Sequence, residues 1–259
     1  MVSHAPGSAC CLAPYLHKGS PRGEMITLKD GKTTAYFATP PVDAANNEKS
    51  RCGIVYLSNV FGIFQNSKLM ADCFADAGYT TIIPDMFNGD QIPDKPIDFD
   101  IIEWLRHGSD GRNPHTEEYV DPVVVSAIRT LRDQGIERVG SAGYCFGAKY
   151  TIRYLRSGID AGYVAHPSWV TEAELAAIAG PLAISAAEDD EYFPCDMRHK
   201  SEAILAHTGL PYQITLFQGV EHGFAVRGDM TNKTIKFARE QAFLQAVTWF
   251  NEHLYVRAL

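Results

Sequence analysis

The stretch that most constrains this chain is residues 138–150, RVGSAGYCFGAKY. It begins with an apolar run typical of a short strand and continues into a helix-forming segment, with an abrupt turn at Cys145 between them. Gly143 and Gly147 stand two residues before and two residues after that cysteine. A nucleophile held on a strained strand-to-helix turn needs glycine at both places, because a Cβ atom there would clash with neighbouring atoms. The segment therefore predicts a nucleophile elbow that carries cysteine.

This elbow would also make the cysteine reactive. A helix that begins near Phe146 places partial positive charge beside the Cys145 sulfur, and that charge favours the thiolate. The backbone N–H of Phe146 is placed to stabilise a developing oxyanion. The pattern is short, however, and a cysteine is often only a small buried apolar residue. The strand before it, the helix after it and suitable partners downstream favour the catalytic interpretation.

The rest of the sequence indicates one α/β domain. Apolar strand-like runs alternate with helical stretches, which predicts a mostly parallel central sheet flanked by helices on both faces. The run at residues 53–57 is typical of a strand buried on both faces. We assign residues 25–259 to this single domain, and residues 1–24, which are rich in proline and glycine, to an N-terminal extended arm packed on it.

Local signals predict where several elements begin and end. Asn66 and Asp121 are typical N-cap residues, and Pro122 follows Asp121 at the first helical position. Thr171 and Glu174 have the spacing of a capping box. The last strand is predicted at residues 212–217, and residues 219–229 are predicted to form a loop.

Composition excludes several kinds of partner. A net charge of −8 argues against binding to nucleic acid or to an anionic membrane. No run approaches the roughly 18 apolar residues that cross a bilayer, and no signal peptide is visible, so we expect a cytoplasmic protein.

The six cysteines lack the paired spacing of a zinc site, and the adjacent Cys10 and Cys11 are interpreted as inert. We expect no metal or cofactor, and a monomer or homodimer.

Partners for Cys145 follow later strands. Reactive loops of a parallel sheet lie at the carboxyl ends of its strands, and the order nucleophile, acid, histidine matches a known catalytic arrangement. His222, beside Gly223 after the last core strand, is the predicted base. The other histidines considered lie in helices or polar stretches and are interpreted as surface residues: His107, His115, His199 and His207. Four carboxylates could orient His222, and chemistry alone does not choose among Glu188, Asp189, Asp190 and Glu191.

Several segments together carry a family resemblance: VFGI at 60–63, PD at 84–85, FNGD at 87–90, GYCFG at 143–147, Asp190 four residues before Pro194, and HGFAVRGD at 222–229. The chain resembles the dienelactone hydrolase family of α/β-hydrolases, and its fungal members in particular. The resemblance implies the α/β-hydrolase fold and selects Cys145, Asp190 and His222 as the catalytic triad. It also implies that the backbone N–H of Val60 is a second oxyanion donor beside that of Phe146.

The implied activity is hydrolysis of a lactone or activated ester of a small, unsaturated molecule. Two departures from the family pattern are visible. The first concerns activation of the cysteine, because Asn59 cannot accept a proton and activation must then rest on His222 and the helix N-terminus, and the second concerns substrate specificity. Asn59 stands where well-studied bacterial members have a glutamate, and Gly89 and Val226, which precedes Arg227, stand near positions where those members use arginines to hold a substrate carboxylate. The predicted pocket residues are Asn59, Phe61, Tyr144, His166, Trp169, Phe224 and Arg227.

Two alternatives to a hydrolase remain open from the sequence. A related cyclase or isomerase could use the same pocket, and the fold could serve as a ligand-binding receptor with an idle triad. An intact triad favours an enzyme, because a receptor gains nothing from retaining all three groups.

Overall fold

The computed structural model describes residues 16–41, 51–92 and 99–255, so Cys10 and Cys11 lie outside the described residues. In this part of the chain the strands form an eight-stranded sheet in the order β1-β2-β4-β3-β5-β6-β7-β8. The strands are β1 Glu24–Thr27, β2 Thr34–Ala38, β3 Cys52–Leu57, β4 Thr80–Pro84, β5 Arg138–Tyr144, β6 Ala161–Ala165, β7 Leu182–Asp189 and β8 Tyr212–Glu221. The pairings of β1 with β2 and of β2 with β4 are antiparallel, and the others are parallel.

The helices are α1 Gln65–Asp76, α2 Ile101–His107, α3 Glu117–Asp133, α4 Phe146–Tyr154, α5 Glu172–Ala176, α6 Cys195–Thr208, α7 Phe224–Arg227 and α8 Lys233–His253. Helices α1 and α8 contribute to one hydrophobic cluster, while α3 and α4 contribute to another. Every residue of β3 is buried, with Val55 and Leu57 in one cluster and Ile54 and Tyr56 in the other. Since successive side chains of a strand point to opposite faces, both faces of the sheet are covered. The predicted fold class is confirmed.

Two predicted helix starts are wrong. Helix α3 begins at Glu117 after the N-cap residue Thr116, which places Pro122 inside the helix. Asp121 does not cap this helix because it lies inside it, and its carboxylate forms an ion pair with Arg153 of α4, with 2.8 Å between Oδ2 and Nη2. Glu117 and Glu118 supply negative charge in the first turn instead, where the helix dipole favours it.

Helix α1 begins at Gln65, so Asn66 lies in the first turn rather than at the N-cap. Its side chain joins two distant segments. Oδ1 accepts a hydrogen bond from the backbone N–H of His17 at 2.8 Å, and Nδ2 donates to the carbonyl oxygen of Val226 at 2.9 Å. Asn66 thus ties the segment that precedes β1 to the region that follows His222.

The other local predictions had mixed outcomes. The capping box of Thr171 and Glu174 is present at the start of α5. Strand β8 extends to Glu221, and the stretch predicted as a loop contains the short helix α7. Among the described residues, none of the helices combines the length and apolar character needed to span a membrane.

Candidate active site

Cys145 lies at the sharp turn between β5 and α4. Its backbone is in the left-handed region, with φ 53° and ψ −112°. Such a conformation costs a non-glycine residue about 1–3 kcal/mol and persists only where surrounding contacts hold it. The backbone N–H of Cys145 donates to the carbonyl oxygen of Ala165 at 3.2 Å, and that of Gly147 donates to Ser58 at 3.0 Å. These bonds hold the elbow between β3 and β6.

The two glycines of the motif are required by packing. A Cβ atom on Gly143 would lie 2.7 Å from the carbonyl oxygen of Gly147. A Cβ atom on Gly147 would overlap the carbonyl group of Leu57. The strand–turn–helix geometry predicted from the spacing of these glycines is present.

Asp190 and His222 meet at the carboxyl ends of β7 and β8. His222 Nδ1 lies 2.8 Å from Asp190 Oδ1 and 2.9 Å from Oδ2. Oδ1 also accepts hydrogen bonds from the backbone N–H groups of Tyr192 at 2.9 Å and Phe193 at 3.0 Å. Asp190 is 6% exposed and His222 is 4% exposed, whereas the three neighbouring carboxylates are exposed: Glu188, Asp189 and Glu191. The tertiary structure therefore brings Asp190, rather than its neighbours, to the imidazole.

The electrostatics of this cluster favour an ion pair. Burial alone would lower the pKa of His222, but the negative charges of Asp190 and Cys145 outweigh it and raise the pKa to about 10. Burial would likewise raise the pKa of the Cys145 thiol, but the positive charge of His222, a hydrogen bond from Ser168 and the charge of Arg227 lower it overall. The protons belong to the coupled pair rather than to either residue. Both shifts favour the charged forms of the pair, a Cys145 thiolate beside a His222 imidazolium.

Ser168 is a site residue that the sequence reasoning missed. Its hydroxyl donates a hydrogen bond to Cys145 Sγ at 3.3 Å and lies 3.5 Å from His222 Nε2. The side chain is buried, with the residue 1% exposed. Its position directly after β6, at the same sheet edge as Cys145, is the signal that could have identified it.

The predicted oxyanion donors belong to two segments that meet at the elbow. Phe146 is the first residue of α4, and Val60 lies in the turn that follows β3. The hydrogen bond from Gly147 to Ser58 brings that turn against the start of α4. Asn59 is 2% exposed, and its Oδ1 accepts a hydrogen bond from the backbone N–H of Phe61 at 3.1 Å.

Arg227 and Phe61 lie together beside the histidine. Arg227 is 6% exposed, its Nη2 donates to the carbonyl oxygen of His222 at 3.1 Å, and its Cζ lies 5.9 Å from the centroid of the Phe61 ring. Gly223 has φ 92°, and a Cβ atom there would overlap the guanidinium. The glycine after His222 therefore lets Arg227 pack against the loop that carries the base.

An aromatic group lies on another side of the site. The Trp169 ring centroid is 6.1 Å from that of Phe146 and 5.3 Å from that of Tyr192. The Tyr192 centroid is 4.9 Å from that of His222. Trp169 was among the predicted pocket residues, whereas Tyr192, which follows Asp190 by two residues, was missed.

The remaining predicted pocket residues pack behind the base. Tyr144 and Phe224 belong to the cluster that contains α1 and α8 residues, and Tyr144 stacks on Tyr56 with 4.7 Å between ring centroids. The His166 ring centroid lies 4.9 Å from that of His222 and 5.9 Å from that of Phe224. Burial, followed by the charges of His222 and Arg227, lowers the pKa of His166 well below 6.5, so it is neutral. Substrate contacts from Tyr144, His166 and Phe224 stay predictions.

One histidine predicted to be on the surface is buried. His115 is 2% exposed, and its Nε2 lies 3.0 Å from Asp90 Oδ2. The Phe87 ring packs against both His115 and Phe146, at centroid distances of 5.3 Å and 5.2 Å. The polar sequence around His115 suggested an exposed side chain. In the fold, Asp90 supplies a hydrogen-bond partner for the imidazole, so His115 can be buried. The other three, His107, His199 and His207, are exposed.

Within the described residues, no group of three or more His, Cys, Asp or Glu side chains is arranged to hold a metal ion. The mostly parallel sheet, the cysteine elbow after a central strand and the later acid and histidine at one sheet edge define an α/β-hydrolase. The chain belongs to the dienelactone hydrolase family, which it matches over residues 34–254.

Similar proteins agree with this assignment. The chain is 44% identical over 257 residues to hydrolase pyvD of Aspergillus violaceofuscus, covering 98% of this chain and 99% of that protein. It is 43% identical over 260 residues to hydrolase tropI of Talaromyces stipitatus, with 98% and 99% covered. A crystal structure of a putative dienelactone hydrolase from Klebsiella pneumoniae has a TM-score of 0.67 at 15% identity, covering 85% of this chain and 93% of that chain, and shows the same fold. The protein is therefore a hydrolase of this family.

Proposed function

We propose that this protein hydrolyses a lactone or activated ester of a small, unsaturated molecule, with Cys145, His222 and Asp190 as its catalytic triad. One observation carries the proposal. A cysteine held on a strained elbow lies beside a buried histidine whose Nδ1 is 2.8 Å from a buried carboxylate. This arrangement favours the thiolate form of the cysteine together with a proton on the histidine that is ready for a leaving group.

In the first half of the reaction, the Cys145 thiolate attacks the carbonyl carbon of the substrate. Negative charge on the carbonyl oxygen is stabilised by the backbone N–H groups of Phe146 and Val60. The bond from carbon to the leaving oxygen then breaks, and that oxygen takes the proton from His222 Nε2. The products of this half are a thioester on Cys145 and a neutral imidazole held by Asp190.

In the second half, neutral His222 removes a proton from water as the water oxygen attacks the thioester carbonyl. The carbon–sulfur bond breaks and the thiolate leaves, which restores the ion pair with the protonated histidine. The acid product departs, so one water is consumed for each ester bond cleaved. Asp190 stays ionised throughout, because its role is to orient the imidazole and to stabilise its charged form.

The surroundings support a planar substrate that carries an electron-rich group. The rings of Phe61, Trp169 and Tyr192 lie around the site, and Arg227 supplies a buried positive charge beside His222. A relative from Gibberella moniliformis that is 30% identical over 254 residues is named dienlactone hydrolase 1. An unsaturated lactone combines the planar shape with a good leaving group.

Turnover of p-nitrophenyl acetate and of a panel of small unsaturated lactones tests the proposal. We expect many turnovers per protein molecule, and intact-mass measurement at early times should reveal one acyl group on the peptide that contains Cys145. A binding protein with an idle triad would release at most one equivalent of nitrophenol. Isomerisation without net addition of water would instead indicate the cyclase or isomerase alternative.

Replacing Asn59 with glutamate should move thiolate formation to higher pH. Asn59 is buried in the turn that also carries Val60, so a carboxylate there would place negative charge near the sulfur and raise the pKa of Cys145. We expect iodoacetamide to label the natural protein well below pH 8.5, the approximate pKa of a free thiol, and the Asn59→Glu variant only at higher pH.

Asn59→Gln is the matched control, since it has the same length as glutamate without the charge, and its labelling profile should stay near that of the natural protein. Faster labelling of Asn59→Glu at neutral pH, or natural protein that labels only above pH 8.5, would contradict this account of activation.

A further inference from the structure

The turn after β6 folds back across the nucleophile. Ser168 lies in this turn between two residues in the left-handed region, His166 with φ 39° and Trp169 with φ 56°. The backbone N–H of Ser168 donates to the carbonyl oxygen of Cys145 at 3.2 Å, while the N–H of Cys145 donates to Ala165 at 3.2 Å. The end of β6 and the turn after it are thus bonded to both peptide groups of the cysteine, and the strained backbone of the turn fixes where the Ser168 side chain lies.

The Ser168 hydroxyl contacts both the nucleophile and the base, which also share a direct hydrogen bond with each other. Oγ is 3.3 Å from Cys145 Sγ and 3.5 Å from His222 Nε2. A hydroxyl has one hydrogen to donate and two lone pairs to accept with, so it can serve both partners at once. We propose that Ser168 is a fourth member of the catalytic group, whose hydroxyl donates to the Cys145 thiolate and accepts from the protonated His222. This inference rests on the proposed function of the triad.

The same geometry provides a second path for the thiol proton, beside the direct hydrogen bond between Cys145 and His222. Starting from the neutral pair, the S–H proton of Cys145 passes to Ser168 Oγ as the hydroxyl proton of Ser168 passes to His222 Nε2. The sulfur keeps the electron pair of the broken S–H bond, the hydroxyl is re-formed with a new proton, and the imidazole becomes charged. No other reactant is needed. The hydroxyl then points its hydrogen at the thiolate and its lone pair at the imidazolium.

The other ionisable groups near this pair come from three neighbouring elements. Asp190 at the end of β7 bonds His222 Nδ1, Arg227 on α7 lies beside the His222 carbonyl, and neutral His166 packs its ring against His222. Tyr192 packs its ring against His222 as well. All of these groups remain in the Ser168 variants. A shift in the apparent pKa of the Cys145 thiol can therefore be assigned to the lost hydroxyl.

The experiment compares the natural protein with Ser168→Ala and Ser168→Thr. The pH dependence of iodoacetamide labelling at Cys145 is measured without substrate, together with the acid limb of kcat/KM for p-nitrophenyl acetate. Losing a hydrogen bond to a charged group should raise the apparent pKa of the thiol in Ser168→Ala by roughly one unit or more. We expect the acid limb of kcat/KM to shift by the same amount, and Ser168→Thr, which keeps a hydroxyl, to stay near the natural protein.

Ser185→Ala is the matched control. Ser185 is a fully buried serine on β7, and its hydroxyl bonds Tyr163 and Gln245 rather than the triad, so its loss should leave both profiles in place. Circular dichroism establishes that each variant is folded, and Ser168→Gly, which lacks the same hydroxyl, replaces Ser168→Ala if alanine is not tolerated.

Labelling and kcat/KM profiles of the folded Ser168 variant that coincide with those of the natural protein would overturn the role of Ser168. Such a result would leave the triad standing, provided that esterase activity still depends on Cys145. If the natural protein shows no esterase activity and labels at Cys145 only above pH 8.5, the proposed function fails instead. The two failures are therefore distinguishable.

Discussion

Replacing Cys145 with alanine is expected to reduce ester and lactone hydrolysis by ~10³-fold or more, as for other nucleophile knockouts in catalytic triads. The change removes the sulfur that attacks the carbonyl and leaves the Cβ atom in place at φ 53°. No atom larger than the original is introduced at this residue, which is 4% exposed, so folding should not suffer. The measurement is kcat/KM with an aryl ester, beside circular dichroism and thermal unfolding.

Cys195→Ala is the control for this prediction. Cys195 is an exposed free cysteine at the start of α6, away from the elbow in sequence. Its replacement should leave activity unchanged and should remove only an accessible labelling site. A Cys145→Ala protein that keeps most of its activity would eliminate the cysteine mechanism.

Asp190→Asn should reduce turnover by ~10²-fold or more, since an aspartate-to-asparagine change in a comparable triad disrupts the histidine tautomer. Asp190 Oδ1 accepts two backbone N–H groups, which would hold the amide oxygen of asparagine in that position. The amide NH₂ would then face His222 Nδ1, where Oδ2 now lies at 2.9 Å. An N–H on His222 Nδ1 would then face the N–H groups of the asparagine amide. The neutral imidazole would be forced to carry its proton on Nε2 instead.

Losing the negative charge of Asp190 should also reduce turnover at neutral and alkaline pH. Asp190 is one of the groups that raise the pKa of His222 to about 10 against the effect of burial, so its removal lowers that pKa. The imidazolium is fully present below the pKa and lost above it, and the alkaline limb of kcat/KM should therefore move to lower pH. The measurement is a complete pH profile of kcat/KM for each variant.

Asp189→Asn provides a control of the same chemistry. The Asp189 side chain is exposed, and only its backbone carbonyl, which accepts from the N–H of His222 at 3.1 Å, takes part in the site. Its amide variant should lose less than a few-fold in rate. Equal losses in the two variants, or the reverse order, would remove the reason for choosing Asp190 as the acid.

Local sequence patterns were sufficient to predict much of the architecture. Apolar runs such as residues 53–57 indicate strands buried on both faces, and the observed strand β3 is buried at every position. Gly143 and Gly147 predicted the elbow because their spacing reflects a steric requirement that is local to the turn. Helix starts were harder, because Asp121 has the chemistry of a cap yet pairs with Arg153 of another helix.

The sequence by itself thus determined the fold class, the elbow and the histidine that follows the last strand. It left the acid open among four adjacent carboxylates until the family resemblance selected Asp190. Only the tertiary structure decided that Ser168 contacts both Cys145 and His222, that Tyr192 packs against the base, and that His115 is buried on Asp90. The physical reason is the distance along the chain over which each signal acts. Strand periodicity and glycine spacing depend on neighbouring residues, whereas each of these contacts joins segments that only the folded sheet brings together.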